Sequence, residues 1–317
     1  MMTRSQAPVR VGAASARAES VQNLVNACIV GVLALAANAA WSVFELPPPR
    51  LLLRYGSPPI GGPTGRRVEI EGVVFIELRP GFFRMGSHAR CDLGDLRGRI
   101  GAAFGFAWGR PPTHSEECPR HWVELRRGFW IAETEVTIGQ FRRFDVWLVR
   151  DRPAGLDPKP VADLLWDDAR RYCEWLATRG PLEVRLPTES EWEFACRAGS
   201  EGEHCFGDAE SRVWGDGWSL ENSRALIRAG AAWLANRWGL FDMHGNAREW
   251  CCDRWHPNYD GAPLDGSAWT DGDSPGRVSR GGSAVESWSD CGSARRMGTD
   301  QCRTVRLGGV RPVADPR

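Results

Sequence analysis

The chain of 317 residues carries 40 basic and 40 acidic side chains, a formal net charge of zero. That balance removes the electrostatic argument for nucleic acid as a partner, and the length accommodates one large domain or two ordinary ones. Sixteen Trp, 36 Gly and 21 Pro describe a loop-rich fold with aromatic plugs rather than a helix bundle or a regular sheet sandwich.

Residues 1–23 are polar, with Arg4, Arg10 and Arg17. Residues 24–44 are uncharged and apolar, which suits a transmembrane helix or signal-anchor. A cleaved secretory signal ending at Ala37-Asn38-Ala39 and a buried soluble helix are the rival readings. The domain is then membrane-anchored or secreted and extracytoplasmic, or cytoplasmic if 24–44 is a buried helix. Any membrane contact is expected through this segment only. Residues 45–67 hold Pro47–Pro49, Pro58, Pro59, Gly61, Gly62 and Pro63 and read as a linker. One folded domain is assigned to 68–314.

Within it Val68–Leu78 reads as a strand, and Pro80-Gly81 turns into a second, Phe82–Met85. A Gly- and Arg-rich surface insertion over 88–112 follows, then strand over 121–131, broken at Arg127-Gly128. Thr137 is placed to cap a helix reaching Arg150. Another runs from Trp166 or Asp167 to Gly180-Pro181, and Thr188-Glu189-Ser190-Glu191 is a capping box opening a third. Glu249–Arg254, Arg277–Ala284 and Val305–Val313 read as strands.

Ten Cys are many for a reduced cytosolic protein and point to disulfides. Cys196/Cys205 and Cys291/Cys302 could each close a short loop, and Cys91/Cys118 bracket the insertion, but spacing leaves the connectivity open. No CxxC or Cys/His zinc spacing occurs. Cys173 and Cys196 fall in helical patterns and read as buried small hydrophobes.

The densest stretch is Asn236–Trp250. Trp238, Leu240, Phe241, Met243 and Trp250 are apolar anchors; Gly239 and Gly245 allow backbone that a Cβ would resist. Asp242, Asn246 and Glu249 supply oxygen atoms. A loop this apolar must satisfy its own polar groups by hydrogen bonds or by a bound hard cation such as Ca²⁺.

"WGLFDMHGNAREW" in this stretch resembles the signature of the formylglycine-generating enzyme (sulfatase-modifying factor) family. "VFIELRPGFFRMGS" (Val74–Ser87), "IAETEVTIGQFRRF" (Ile131–Phe144), "RLPTESEWEFACRAG" (Arg185–Gly199), "RVSRGGS" (Arg277–Ser283) and "GGVRPV" (Gly308–Val313) agree with it in the family's order. The resemblance implies an α+β, C-type-lectin-like fold, loop-rich, with a few short helices around small mixed sheets. It also implies a Ca²⁺ site, which carries over to Asp242, Gly245, Ala247 and Glu249.

Active members of that family oxidise a substrate cysteine with Cu(I) held by two thiolates, the soft ligands that ion prefers. Counted forward from Gly282-Ser283, the paired positions fall on Glu286 and Cys291, so one thiolate is missing. Cys302 could approach Cys291, though a disulfide is the simpler outcome. The preferred reading is therefore a non-catalytic scaffold that presents residues 284–306 to a protein or other extracytoplasmic ligand. Trp288, Arg295, Arg296 and Arg303 would form the binding surface, as Trp and Arg often do. Relatives without the cysteine pair include the variable proteins of diversity-generating retroelements. The competing placements put Trp288 in the core and the arginines in pairs with Asp290, Asp300 or Glu286. The alternative function that the resemblance implies is a divergent copper-dependent oxidase converting a protein cysteine to formylglycine, or another oxidase of the same superfamily.

Overall fold

In a computed structural model, residues 47–55, 61–87, 115–207 and 217–317 are described. The chain divides into two compact units, Met1–Leu52 and Leu53–Arg317. Helix α1 (Pro49–Tyr55) begins in the first; every other described element belongs to the second.

The expected single strand over 68–78 is a hairpin, β1 (Pro63–Ile70) and β2 (Val73–Leu78), paired antiparallel. Its turn explains the difference: Glu71 and Gly72 both take positive φ, 50° and 81°, the backbone that a two-residue hairpin turn requires. β3 (Gly81–Met85) pairs with β4 (His121–Leu125). After the break at 127–128, β5 (Phe129–Ala132) lies against β2.

Thr137 and Gln140 form a reciprocal cap on α2, but this helix covers only Ile138–Arg142. It stops short of Arg150 because Asp145 Oδ1 accepts the backbone N–H of Trp147 and of Leu148, at 2.9 and 3.2 Å, which gives those groups a non-helical partner. α3 (Trp166–Ala177), β6 (Leu182–Arg185), α4 (Glu189–Arg197) and the short α5 (Leu220–Ser223) follow. The capping box on α4 is formed as read from the sequence, and Ala198, in the left-handed region, closes it ahead of Gly199. The last strands are β7 (Arg248–Arg254), β8 (Gly276–Arg280), β9 (Arg296–Asp300), β10 (Gly308–Gly309) and β11 (Val313–Pro316).

Three sheets organise these elements, the smallest being the β3-β4 pair. Of the two larger ones, one has the order β1-β2-β5-β11-β6 and the other β10-β7-β8-β9. The first is apolar on both faces, so neighbouring residues enter different cores. Phe75, Trp130 and Ala314 join Tyr172, Cys173 and Leu176 of α3; Ile76, Ile131 and Val313 join Trp192, Phe194 and Ala195 of α4.

Helix α4 is buried along its whole length although it carries Glu189, Glu191, Glu193 and Arg197. These charges are satisfied internally. Glu193 accepts the Gly86 N–H at 2.9 Å and Arg197 Nε at 2.8 Å, and its other oxygen takes Arg280 Nη2. Arg296 grips Glu189 through two bonds of 2.7 Å. Despite burial, Arg197 and Arg280 hold the Glu193 carboxyl below its ordinary pKa.

Two expectations are corrected here. Cys196, Cys291 and Cys302 are free thiols, as are Cys173, Cys251 and Cys252, so neither short-range disulfide exists. Cys118 alone among the described cysteines is disulfide-bonded. Among those residues, too, no helix is long and apolar enough to cross a membrane. The segment 24–44 that prompted the transmembrane reading lies outside them, as does the 88–112 insertion.

Removing one partner of a buried pair leaves an unpaired charge, which costs about 3–5 kcal/mol. Arg280→Ala and Glu193→Ala should each lower stability by about that amount in urea unfolding; losses under about 1 kcal/mol would show that the pair carries little.

Candidate functional site

The site is assembled from the Asn236–Trp250 loop and the segment from Gly281 to Arg296. Asn236 organises the loop: Oδ1 accepts the N–H groups of Trp238 and Leu240, at 2.9 and 3.1 Å, and Nδ2 donates to Ala195 O at 2.8 Å. At its far end Gly245 N–H donates to Gly281 O at 2.7 Å. A Cβ on Gly245 would stand 2.0 Å from Trp218 O, so no larger residue fits there.

Of the expected calcium residues, Asp242 accepts the Ala231 N–H on Oδ2 at 2.7 Å, while its Oδ1 is buried without a partner. Glu249 is spent on protein donors. Arg311 Nε lies 2.9 Å from both its oxygens and Trp192 Nε1 donates at 2.6 Å. A residue the sequence reading missed, Glu135, lies beside them. One of its oxygens accepts the Ala247 N–H at 3.3 Å, and Oε2 is buried and unpartnered, 3.9 Å from Arg311 Nη2. Burial first, then the Asp242 charge, raises the Glu135 pKa well above its ordinary value; burial raises that of Asp242 to about 6.

These orphaned oxygens suit a hard cation, but the donor set differs from the one the resemblance implied, since both Glu249 oxygens take protein donors while Glu135 Oε2 accepts no hydrogen bond. Among the described residues no group of three or more His, Cys, Asp or Glu side chains is placed to hold a metal.

Of the two positions matched to the family's thiolate pair, Glu286 lies in an ion pair with Arg248. Glu286 receives Arg248 Nη2 on one oxygen and Ser283 Oγ on the other, the latter at 2.8 Å. The Arg248 side chain is 2% exposed and that of Glu286 22%. Arg248 was not singled out from sequence. It begins β7, next to the very residues that gave the loop its signature. Cys291 lies nearby with Sγ 3.9 Å from Ser283 O, and is 0% exposed. Burial, then the Glu286 charge, pushes its thiol up to about 12, so it is neutral at physiological pH. Cys302 is exposed and makes no disulfide with it.

Two histidines support this segment. His244 Nδ1–H donates to Cys291 O at 2.7 Å, and its Nε2 accepts the Cys205 N–H at 3.1 Å. This arrangement suits the neutral ring, and burial, then His204, lowers its pKa to about 3. Trp288 stacks on His204 with centroids 4.3 Å apart and planes 9° apart. Its backbone N–H donates to Glu221 at 3.2 Å. Trp288 is therefore half-buried, between the core and surface placements.

The three arginines part company. Arg295 reaches Glu116 Oε1 at 2.6 Å and Asp290 at 3.4 Å. Arg303 is exposed. The Arg296 side chain is 0% exposed, locked on Glu189, so it leaves the proposed binding surface: it holds the end of the segment rather than facing a ligand.

Residues 63–316 match the family model described as the sulfatase-modifying factor enzyme 1-like domain. Similar curated proteins include the inactive C-alpha-formylglycine-generating enzyme 2 of Bos taurus, 33% identical over 47% of this chain and 47% of that protein. Another is the formylglycine-generating enzyme of Mycobacterium tuberculosis, 32% identical over 32% of this chain and 35% of that one. The chain thus matches less than half the length of either. Among solved structures, Treponema denticola variable protein 1 shares the fold, with a TM-score of 0.64 at 20% identity over 82% of this chain and all of that one.

Proposed function

The chain belongs to the sulfatase-modifying factor enzyme 1-like domain family, and from that premise we propose that it is a non-catalytic scaffold presenting residues 284–306 to an extracytoplasmic protein ligand. A relative named inactive and one named simply formylglycine-generating enzyme are 33% and 32% identical over the parts they match, so identity does not separate the two readings. The observation that carries ours is the Glu286–Arg248–Ser283 cluster. A carboxylate committed to a buried guanidinium stands where a second soft ligand is needed, and the remaining thiol, Cys291, is buried and protonated.

The ligand surface on this reading is Trp288, Arg295 and Arg303, with exposed Ser289 between them. An aromatic ring backed by a rigid stack can anchor a partner at small entropic cost. A photo-crosslinker at Ser289 or at Arg303 should capture the same partner from an extracytoplasmic fraction. One at Lys159, remote in sequence and outside the segment, should not. Equal capture from all three positions contradicts the assignment.

Calcium is proposed as a structural ion. Asp242 and Glu135, with carbonyl groups of Gly245 and Ala247, would hold it, and it would neutralise the repulsion between the two carboxylates. The partnerless Asp242 Oδ1 supports this. Added Ca²⁺ should raise the melting temperature of the wild-type protein and leave that of Asp242→Ala unchanged; a wild type indifferent to Ca²⁺ removes the ion from the account.

A further inference from the structure

The described surface has one run of three consecutive large apolar residues standing in solvent. Val146, Trp147 and Leu148 are 51%, 72% and 45% exposed, while Val149 beside them is 1% exposed. The turn that carries them is built to hold its shape. Asp145 Oδ1 caps it from one side. From the other, Arg142 clamps its exit, donating to Val149 O at 3.3 Å and to Arg152 O at 2.8 Å. A fixed Trp at a loop tip gains nothing for the fold, since its area is left in water and no described neighbour covers it.

The segment that carries the tip has an excess of arginine, although a carboxylate lies beside each one. Arg142–Arg152 contains four arginines (Arg142, Arg143, Arg150, Arg152) and two aspartates, Asp145 and Asp151, or 4 − 2 = +2, in a chain that is neutral overall. Asp145 is turned to its own backbone. Arg142 and Arg152 are used within the fold, reaching Asp157 at 2.9 Å and Asp163 at 3.5 Å. Arg143 and Arg150 are 55% and 63% exposed and hold Glu71 and Asp151 only at 3.7 Å; such pairs are weak and open readily to a stronger partner.

We propose that the Val146–Trp147–Leu148 turn is a shallow insertion tip for an anionic lipid surface, with Arg143 and Arg150 meeting the headgroups. Trp and Leu partition into the membrane interface, and basic side chains beside them gain from a negative surface. The tip involves none of residues 284–306, so it would orient the scaffold while leaving the display segment to its own ligand. One small tip gives weak and reversible attachment, suited to adding to another contact rather than replacing it.

The test uses the full chain with Leu148→Cys in a Cys302→Ser background, labelled with a polarity-sensitive fluorophore. The same background without Leu148→Cys corrects for label on other thiols. Phosphatidylcholine vesicles containing phosphatidylglycerol should shift the emission to the blue. Phosphatidylcholine alone should not, and high salt should reverse the shift. Trp147→Ala, or Arg143→Glu with Arg150→Glu, should weaken vesicle partitioning at least several-fold. The proposal is overturned by a probe that stays water-exposed while the protein is vesicle-bound, or by equal shifts in both vesicle types. A shift that needs no vesicles and grows with protein concentration also overturns it, and marks the tip as a contact between copies of the chain.

Discussion

Buried guanidinium–carboxylate pairing is the constraint on which this structure depends. Arg280 and Arg296, at the ends of β8 and β9, bind Glu193 and Glu189 on α4. Arg280 also donates to the carbonyls of Ser293, Ala294 and Arg295. Irregular backbone inside a protein must find partners for its carbonyl groups, and one arginine supplies three of them. The fold can therefore carry a long non-repetitive segment between β8 and β9 without losing its position. Arg311 repeats the device on the other side of the loop, binding Glu249 and donating to the carbonyls of Ala132, Glu133 and Phe241.

The same logic accounts for the change of chemistry at the site. Two thiolates beside a soft metal need a place where charge is stabilised by that metal. Here Arg248 is already buried at that place and its charge is met by Glu286. The neighbouring Cys291 lies in surroundings that disfavour its thiolate. Its carbonyl is fixed by His244, and the next residues are fixed by Arg280. Each of these contacts stabilises a static surface, and none offers an accessible nucleophile. A half-buried Trp288 stacked on His204 is what this framework leaves at the opening.

Local chemistry made much of the fold legible in advance. The caps at Thr137 and Thr188, the Gly81 turn, the break at Gly128 and the apolar stripe of α3 are all encoded by neighbours in sequence, and each stands where its residues place it. What failed did so for identifiable reasons. A helix through Arg150 looked sound by periodicity, but Asp145 competes for its backbone groups. The short-range cysteine pairs looked close in sequence, yet Cys196 sits in the α4 core and Cys302 at the surface. Arg296 looked like a surface residue because its partner, Glu189, is remote in the chain, and the capping box already explained that glutamate. Glu135 and Arg248 escaped notice because nothing local distinguishes a charge that will be buried from one that will be solvated.

Position 286 carries a carboxylate in an ion pair with Arg248, and on the proposed reading no two-thiolate copper centre assembles beside it. Anaerobic Cu(I) titration against a competing chelator, on reduced protein, addresses it directly. The account predicts that the native chain has no tight one-to-one Cu(I) site that depends on Cys291. Tight one-to-one binding by the native protein, abolished by Cys291→Ser, would contradict it.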